Sequence, residues 1–569
     1  MSSYVVQETP GGRKTLVYRN SRDVRIHSAY DPEREAERAV GAFSAGRASM
    51  IAVSGLGLGY HLAELGKRFP GMPLVVFERD QDVLEIARRA CPEFLEGVRV
   101  IRSSADLPSL FEEIDMSGFR GVAHYLHRPS YLLHPQFYDE LFRDTGRYVS
   151  SKISDLLTRL EFEERWVENI VRNLPHLFTS TRVHRLFGAF RDLPGVIVSA
   201  GPSLRRNVRL LADMKSRALI VAVDTAAPVL QKAGIVPHLI MTLDAQKHSI
   251  KHFLSLREGG AAICADMVSC PQVLRDFRGR RIVSTTSKYY TSSRGDLERE
   301  ATPLMEWVER HAGPVGDVQS GGSVATSAFD LLLNLGCSPI VLVGQDLAYT
   351  GREIHCSGTH HNDGWLPGVS RVSNLDTINQ NILRRRKIKL VPAYGGSGSV
   401  VSDFVFDLYR GWFEDSARKV KVPVINATEG GARIEGTREE PLSSLAARLA
   451  PLRPDPAAIL ERVLSPVSDA GHGDLTRSLG SALEGLRDIR DAARKELSGA
   501  VGGIAAEDML DREDLLPLLR PFLGKSRIYL ARYDADSEEA RRRVLSGIIS
   551  AAEKLLPLLE KSRGALESL

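Results

Sequence analysis

The chain has 569 residues, 43% of them hydrophobic and 26% charged, the make-up of an ordinary globular protein rather than a disordered or fibrous one. Its 75 basic and 71 acidic residues leave a formal charge of +4, so the balance calls for neither a nucleic acid nor a membrane as partner. The length exceeds what one hydrophobic core fills and implies roughly two to four domains.

The five cysteines, Cys91, Cys264, Cys270, Cys337 and Cys356, are scattered and lack the spacing of a metal site or a disulfide framework. That fits a reducing cytosol. The opening MSSYVVQETPGGRKT has no apolar h-region, and no run approaches the roughly 20 apolar residues of a membrane span. The expected location is the cytoplasm.

In chain order, Met50–Val53 reads as a short buried strand, SGLGLGYH as a glycine turn, and Leu62, Leu65 and Phe69 as one helix face. A second strand, Leu74–Phe77, ends on Glu78, and a further helix runs from Asp82, which completes a β-α-β unit. Gly55, Gly57 and Gly59 with Glu78 look like a nucleotide or S-adenosylmethionine turn, in which the acidic residue would hold ribose hydroxyls. No companion motif for methyl transfer or redox chemistry accompanies them, which favours a structural or vestigial turn. Ile153, Leu156, Leu157, Leu160, Trp166 and Ile170 then recur at three- and four-residue steps, predicting a long connecting helix.

From Gly195 the alternation restarts. Short Val- and Ile-rich runs at 195–199, 218–223, 238–243, 261–265, 281–284, 339–343 and 423–426 suit strands buried on both faces of a parallel sheet. Helical stretches lie between most of them, one from Ser323 to Leu335 stopped by Gly336, so the pattern predicts a doubly wound sheet. After Gly436 the strands are expected to stop. Pro451, Pro454 and Pro456 mark a boundary, and Leu475, Leu479, Leu483, Leu486 and Ile489, capped by Asp474, open a helical region that continues through Val544, Ile548, Ala552, Leu555 and Leu559. The expected architecture is multidomain α/β: a Rossmann-like domain over 1–165, a central doubly wound domain over 166–437 and a helical domain over 438–569.

Ligands of open parallel sheets bind beyond the carboxyl ends of the strands. The expected strands deliver Ser199-Ala200-Gly201-Pro202-Ser203-Leu204, then Asp224-Thr225, then Asp244, then Gly344-Gln345-Asp346-Leu347-Ala348-Tyr349-Thr350, and last Asn426-Ala427-Thr428-Glu429-Gly430-Gly431. Ser320, Gly321, Gly322 and Ser323 open a helix, where backbone N–H groups hold phosphate or carboxylate. Each piece alone is also an ordinary turn or helix cap, but together they converge on one sheet edge and predict a nucleotide-type site. The polar segment Thr350–Val372 carries His355, His360 and His361, any of which could serve as general base. A metal site or exposed histidines without a role are the alternatives there. The basic cluster Arg384-Arg385-Arg386-Lys387 with Lys389 could meet an anionic donor or an acidic protein, or be a solvated face.

GPSL (201–204), Asp224, SGGSVAT (320–326), VGQDLAYTG (343–351) and INATEGGARIEG (425–436) together resemble the motility-associated factor (Maf) flagellin glycosyltransferases, and HSAYDP (27–32) resembles that family's N-terminal region. The archaeal MptE-like pterin diphosphokinases share the central domain, which is also similar to Rossmann-type sialyltransferases. The resemblance implies a CMP-activated pseudaminic or legionaminic acid as donor, Ser/Thr hydroxyls of flagellin as acceptor, and no cofactor or metal. It implies substrate binding by Gly201, Pro202, Ser203, Asp224, Asp244, Ser320, Gly321, Gly322, Ser323, Gln345, Asp346, Tyr349, Asn426 and Thr428. Ser203, the 320–323 turn and Tyr349 would steady the departing phosphate. Asp346 would meet ribose or acceptor hydroxyls. A histidine after GQDLAYT favours His355 as base, whereas the sialyltransferase likeness favours His360 or His361. Two other readings compete: a pterin diphosphokinase moving pyrophosphate from ATP, with magnesium on Asp224, Asp244 or Asp346, and a non-catalytic flagellin-binding scaffold.

Overall fold

The computed structural model describes residues 3–20, 23–112, 114, 116, 118–256, 260–291, 297–464, 470–499, 505–532 and 537–569. The chain divides into two compact units, one built mainly from Met1–Glu161, the other from Phe162–Tyr289, Arg299–Gly524 and Ser537–Leu569. The division falls inside the helix Pro135–Asn173, which is 39 residues long and starts well before the expected 153.

In the first unit four parallel strands lie in the order Arg99–Ile101, Leu74–Phe77, Met50–Ser54, Val122–Leu126. The chain therefore moves outward from Met50–Ser54 and then returns to its other side. A three-stranded antiparallel ribbon, Tyr4–Glu8, Lys14–Tyr18 and Val24–Arg25, precedes this sheet and has no counterpart among the elements expected from sequence. Its short runs show no alternation to be seen, since Tyr4–Glu8 buries only Tyr4 and Lys14–Tyr18 buries three successive residues, Thr15, Leu16 and Val17.

The second unit carries the expected doubly wound sheet. Its central order is Arg281–Thr291, Ala262–Asp266, Leu239–Thr242, Leu219–Val223, Gly195–Val198, Ile340–Val343, Val424–Asn426, with every one of these neighbours parallel. Alternate residues serve opposite faces. Cys264 joins the core cluster beneath the helix Val324–Asn334, while Ile263 and Ala265 join one that includes Leu475, Leu479, Leu483 and Leu555 from the C-terminal helices. Two-sided burial of this kind explains the near-continuous apolar runs.

Three local expectations are corrected. The strand at 281 runs on to Thr291, and its polar middle, Thr285–Ser287, pairs with Asp317–Gln319. A further short strand, Arg438–Glu439, follows Gly436 and pairs with Ile425 and Asn426. Gly471, not Asp474, occupies the cap position of the helix His472–Leu497, and Asp474 lies in its first turn. The polar segment at 350–372 holds the turn Thr350–Arg352 and the helix His360–Trp365, capped by Thr359. Among the described residues, no helix is long and apolar enough to cross a membrane.

Burial pushes several imidazoles far below their ordinary range, His27 to about 3 and His61 to about 4, with His127 also well down. Below about pH 6.5 the unfolded chain takes up protons that these folded imidazoles refuse. Stability is therefore undiminished by them above about pH 6.5 and is lost as the pH falls toward 4. The loss reaches several kcal/mol in all, because each tenfold weakening of proton affinity on folding is worth ~1.4 kcal/mol. Urea midpoints of the full chain should be flat from pH 7 to 8 and drop steeply between 6 and 4, and His27→Gln should flatten that drop.

Candidate functional site

The strand order of the second unit reverses between Gly195–Val198 and Ile340–Val343, which are direct neighbours although about 140 residues apart in sequence. The two loops leaving this pair are fastened to each other. The Ser203 hydroxyl donates to Asp346 Oδ1 at 2.6 Å, the Ser203 amide donates to the same carboxylate at 3.2 Å, and the Thr350 hydroxyl donates to Oδ2 at 2.6 Å. Ser199 Oγ donates to Gln345 Oε1 at 2.5 Å, and the Gly201 amide donates to the Gly344 carbonyl at 2.9 Å. Burial raises the Asp346 carboxyl, while Ser203, Thr350 and the Arg206 guanidinium pull it back down. Both oxygens of Asp346 are thus held by the protein's own donors. This differs from the expected contact with ribose or acceptor hydroxyls, and the cause is the short reach from Ser203 and Thr350.

Gly201 has no room for a side chain. A Cβ there would lie 2.1 Å from Asp346 Oδ1 and 2.5 Å from the Gly344 carbonyl oxygen. Pro202 and Ser203 are buried behind it.

The third loop joins from Val424–Asn426. Thr428 Oγ1 accepts from the Gln345 amide at 3.1 Å, Asn426 Oδ1 accepts from the Thr428 amide at 3.1 Å, and the Ala432 amide donates to the Asp346 carbonyl at 2.7 Å. Asn426 is fully buried and its Nδ2 has no hydrogen-bond partner. The Tyr349 hydroxyl donates to Asp403 Oδ2 at 2.5 Å, so its proton is already engaged.

Ser320–Ser323 stands at the N-terminus of the helix Val324–Asn334, as expected, with Ser323 as cap. Its donors are partly spent inside the turn: the Gly321 amide reaches Thr326 Oγ1 at 2.9 Å, Gly322 reaches Ser320 Oγ at 3.2 Å, and Ser323 Oγ accepts from Thr326. The remaining amides of the first helical turn are the ones such a helix start leaves for an outside acceptor.

Beside this knot lies a cluster of histidines. Asp224 follows Leu219–Val223 and accepts from Thr225 and from Thr242 Oγ1 (2.8 Å); Asp244 follows Leu239–Thr242 and pairs with His248 at 3.0 Å. The His355 and His361 rings stack 5.3 Å apart, and His252 lies 5.4 Å from His361 and 6.1 Å from His360. The helix His360–Trp365 is what lets the adjacent His360 and His361 share one neighbour, His252. Burial and the other imidazoles lower the pKa of His360 and His361, with Asp224 raising that of His361, and burial takes His355, hydrogen-bonded to the Ala200 carbonyl, down to about 4. Among the described residues, no three His, Cys, Asp or Glu side chains are grouped to hold a metal ion.

Three neighbours of this site are not among the residues singled out from sequence. His248 and His252 lie on the turn Lys247–His252, four and eight residues after Asp244, and their spacing from that strand end is the signal that could find them. Arg206, the second residue after GPSL, donates to the Glu429 carbonyl at 3.2 Å, which sets a cation beside the Ser203–Asp346 pair. The basic cluster at 384–389 spans the end of the helix Leu375–Arg384 and the start of an antiparallel hairpin, Ile388–Pro392 with Ser399–Asp403; Lys389 pairs with Asp407 at 2.5 Å.

The glycine turn of the first unit is filled by the protein itself. A Cβ on Gly55 would fall 2.2 Å from Ser130 Cβ, and one on Gly57 only 2.4 Å from His27 Nε2, which accepts from the Leu58 amide at 2.7 Å. Glu78 accepts from the Leu56 and Asp80 amides at 2.9 Å each. Its carboxylate closes the turn where a ribose would lie, which supports the structural reading.

The crowding at Gly201 gives a direct stability contrast. Gly201→Ala should cost ~3 kcal/mol, the upper part of the usual overpacking range. Gly66→Ala, in the helix Tyr60–Arg68 with nothing near its Cβ, should gain up to ~1 kcal/mol. Chemical denaturation of the two variants checks both signs.

Comparison with known proteins places this geometry. Residues 168–352 match the family model described as 6-hydroxymethylpterin diphosphokinase MptE-like. Two uncharacterized proteins of Treponema pallidum (strain Nichols) are similar, one 24% identical over 268 residues (46% of this chain, 46% of the relative), the other 25% identical over 226 residues (36% and 56%). The chain spans about half the length of these curated relatives. Among solved structures, a Maf glycosyltransferase from Magnetospirillum magneticum AMB-1 matches over 100% of this chain and 93% of its own, with a TM-score of 0.59 and 14% identity. The chain thus has the fold of that glycosyltransferase and carries an MptE-like segment within it.

Proposed function

We propose that the protein is a glycosyltransferase that moves a nonulosonic acid from a CMP-activated donor to Ser/Thr hydroxyls of flagellin. The observation that carries this reading is the convergence of the Ala200–Ser203, Gly344–Thr350 and Asn426–Gly431 loops at the switch point of a sheet whose fold is that of a Maf glycosyltransferase. The donor's phosphate lies against the Ala200–Pro202 turn, the first turn of the helix Val324–Asn334 and the Arg206 guanidinium. Ser203, Gln345, Asp346 and Thr428 hold those loops in register, and Tyr349 is fixed through Asp403. The unpartnered amide nitrogen of Asn426 is a donor for the nucleotide side.

The chemistry asks for a base near the anomeric carbon. As the bond from that carbon to the CMP phosphate breaks, the acceptor oxygen attacks, its proton passes to an imidazole, and CMP leaves with the electron pair. Of the three candidates, His361 suits this best. Burial and the neighbouring imidazoles lower its pKa, with Asp224 opposing them, and its ring meets both His252 and His355, whereas His355 is more deeply buried, titrates near 4 and spends a nitrogen on the Ala200 carbonyl. His252 and His355 position His361 by ring contact.

The MptE-like match to 168–352 favours a second reading, pyrophosphate transfer from ATP. That chemistry uses magnesium held by one or two carboxylates and the phosphates. Asp346 is committed to Ser203 and Thr350, and Asp224 to Thr225 and Thr242, which leaves Asp244 as the less engaged carboxylate.

Intact mass of flagellin from cells with and without this gene tests the proposal. Loss of the gene should remove one or more nonulosonic acid increments, and His361→Ala should lower the modified fraction as expected for a base worth ~10²-fold or more. An unchanged mass would sink the reading and turn attention to ATP and pterin.

A further inference from the structure

The first unit has a switch point of its own, between Met50–Ser54 and Val122–Leu126. Beyond the carboxyl ends of these strands lies a cavity of about 450 Å³, walled by the Val24–His27 segment, the helix Pro32–Gly41, His61 and the stretch after Tyr125. Small-molecule sites occupy ~300–1,000 Å³ and favour this position in parallel sheets. The filled glycine turn beside it excludes the usual dinucleotide pose, so an occupant must use other groups.

Those groups are specific. The His61 and His127 rings stack 4.2 Å apart with planes 5° apart, His27 lies 5.0 Å from His127, and Tyr125 stacks on His61 at 5.7 Å. His61 Nε2 lies 3.0 Å from the Gly55 carbonyl oxygen, which can only accept, so Nε2 carries the proton. Nδ1 is then a buried acceptor, and it has no hydrogen-bond partner. Burial keeps all three imidazoles uncharged. The charge of the lining is therefore that of Arg25, Arg128 and Glu35, a net of one positive; Glu35 also accepts from the Ser28 amide at 2.7 Å. Arg25 and Arg128 are exposed, and both belong to the lining.

We propose that this cavity binds a hydroxylated monocarboxylic acid of monosaccharide size, with its carboxylate at Arg25 and Arg128 and a hydroxyl donated to His61 Nδ1. One positive charge matches one carboxylate. The missing donor at His61 matches a hydroxyl, and the exposed Leu126 and Leu132 side chains of the lining offer apolar surface to the carbon face of a sugar ring. The site is separate from that of the second unit and does not rest on the function proposed for it.

Calorimetric titration of the full chain with N-acetylneuraminic acid and with glucuronic acid tests this, with methyl glucoside as the uncharged comparison. At least one acid should bind saturably and methyl glucoside should not. Arg128→Ala, a surface change that leaves the core untouched, should weaken binding about tenfold or more, the worth of a charge-assisted hydrogen bond. His61→Phe, which keeps the ring stack and removes the acceptor, should weaken it as well. Binding of neither acid, or binding that Arg128→Ala and Arg25→Ala leave unchanged, overturns the proposal.

Discussion

The carboxylate of Asp346 is the fastening on which the second unit's site depends. Two loops that leave neighbouring strands, one after Val198 and one after Val343, have no reason of their own to hold a fixed spacing. Asp346 supplies that spacing by accepting from Ser203 on one side and Thr350 on the other, while its main-chain carbonyl takes the Ala432 amide of a third loop. A buried carboxylate is costly unless hydrogen bonds satisfy it, and here three donors do. Because the same group closes all three loops, the absence of a side chain at Gly201 is a geometric requirement rather than a matter of flexibility.

The two units apply one topological device in two ways. Each has a parallel sheet whose order reverses once, and each sets a glycine-bearing loop beyond that point. In the first unit the loop is packed shut by Ser130, His27 and Glu78, and the open volume lies to its side. In the second unit the loops are tied by side chains to one another, and a cation, Arg206, and a set of neutral histidines surround them. A glycine pattern is therefore weak on its own: the pattern fixes a tight turn, and the neighbours decide whether a ligand can reach it.

Much of this is legible in the sequence. The runs from 195 to 426 are buried on both faces, so their Val and Ile content marks strands without needing alternation, and the order of helices and strands then limits the topology. The loops at 201–204, 344–350 and 426–431 are identifiable as a group because each follows such a strand. Partner choice is what sequence cannot supply. From sequence Asp346 reads as facing a ligand, yet its oxygens meet Ser203 and Thr350, 143 and four residues away. The spacing of His252 from the strand end at Asp244 is its one signal in the sequence, and its relation to His360 and His361 exists only once the short helix from His360 forms. The N-terminal ribbon escapes for a different reason, since of its two five-residue strands one buries a single residue and the other three in succession, which leaves no alternation to read.

Whether the donor's nucleotide sits at the switch point of the second unit is tested most directly by hydrogen–deuterium exchange of the full chain with and without CMP. Slowed exchange is predicted in peptides covering 199–206, 324–326 and 426–431, with those covering 55–61 and 127–132 unchanged. Protection confined to the latter pair would place the nucleotide on the first unit and contradict that assignment.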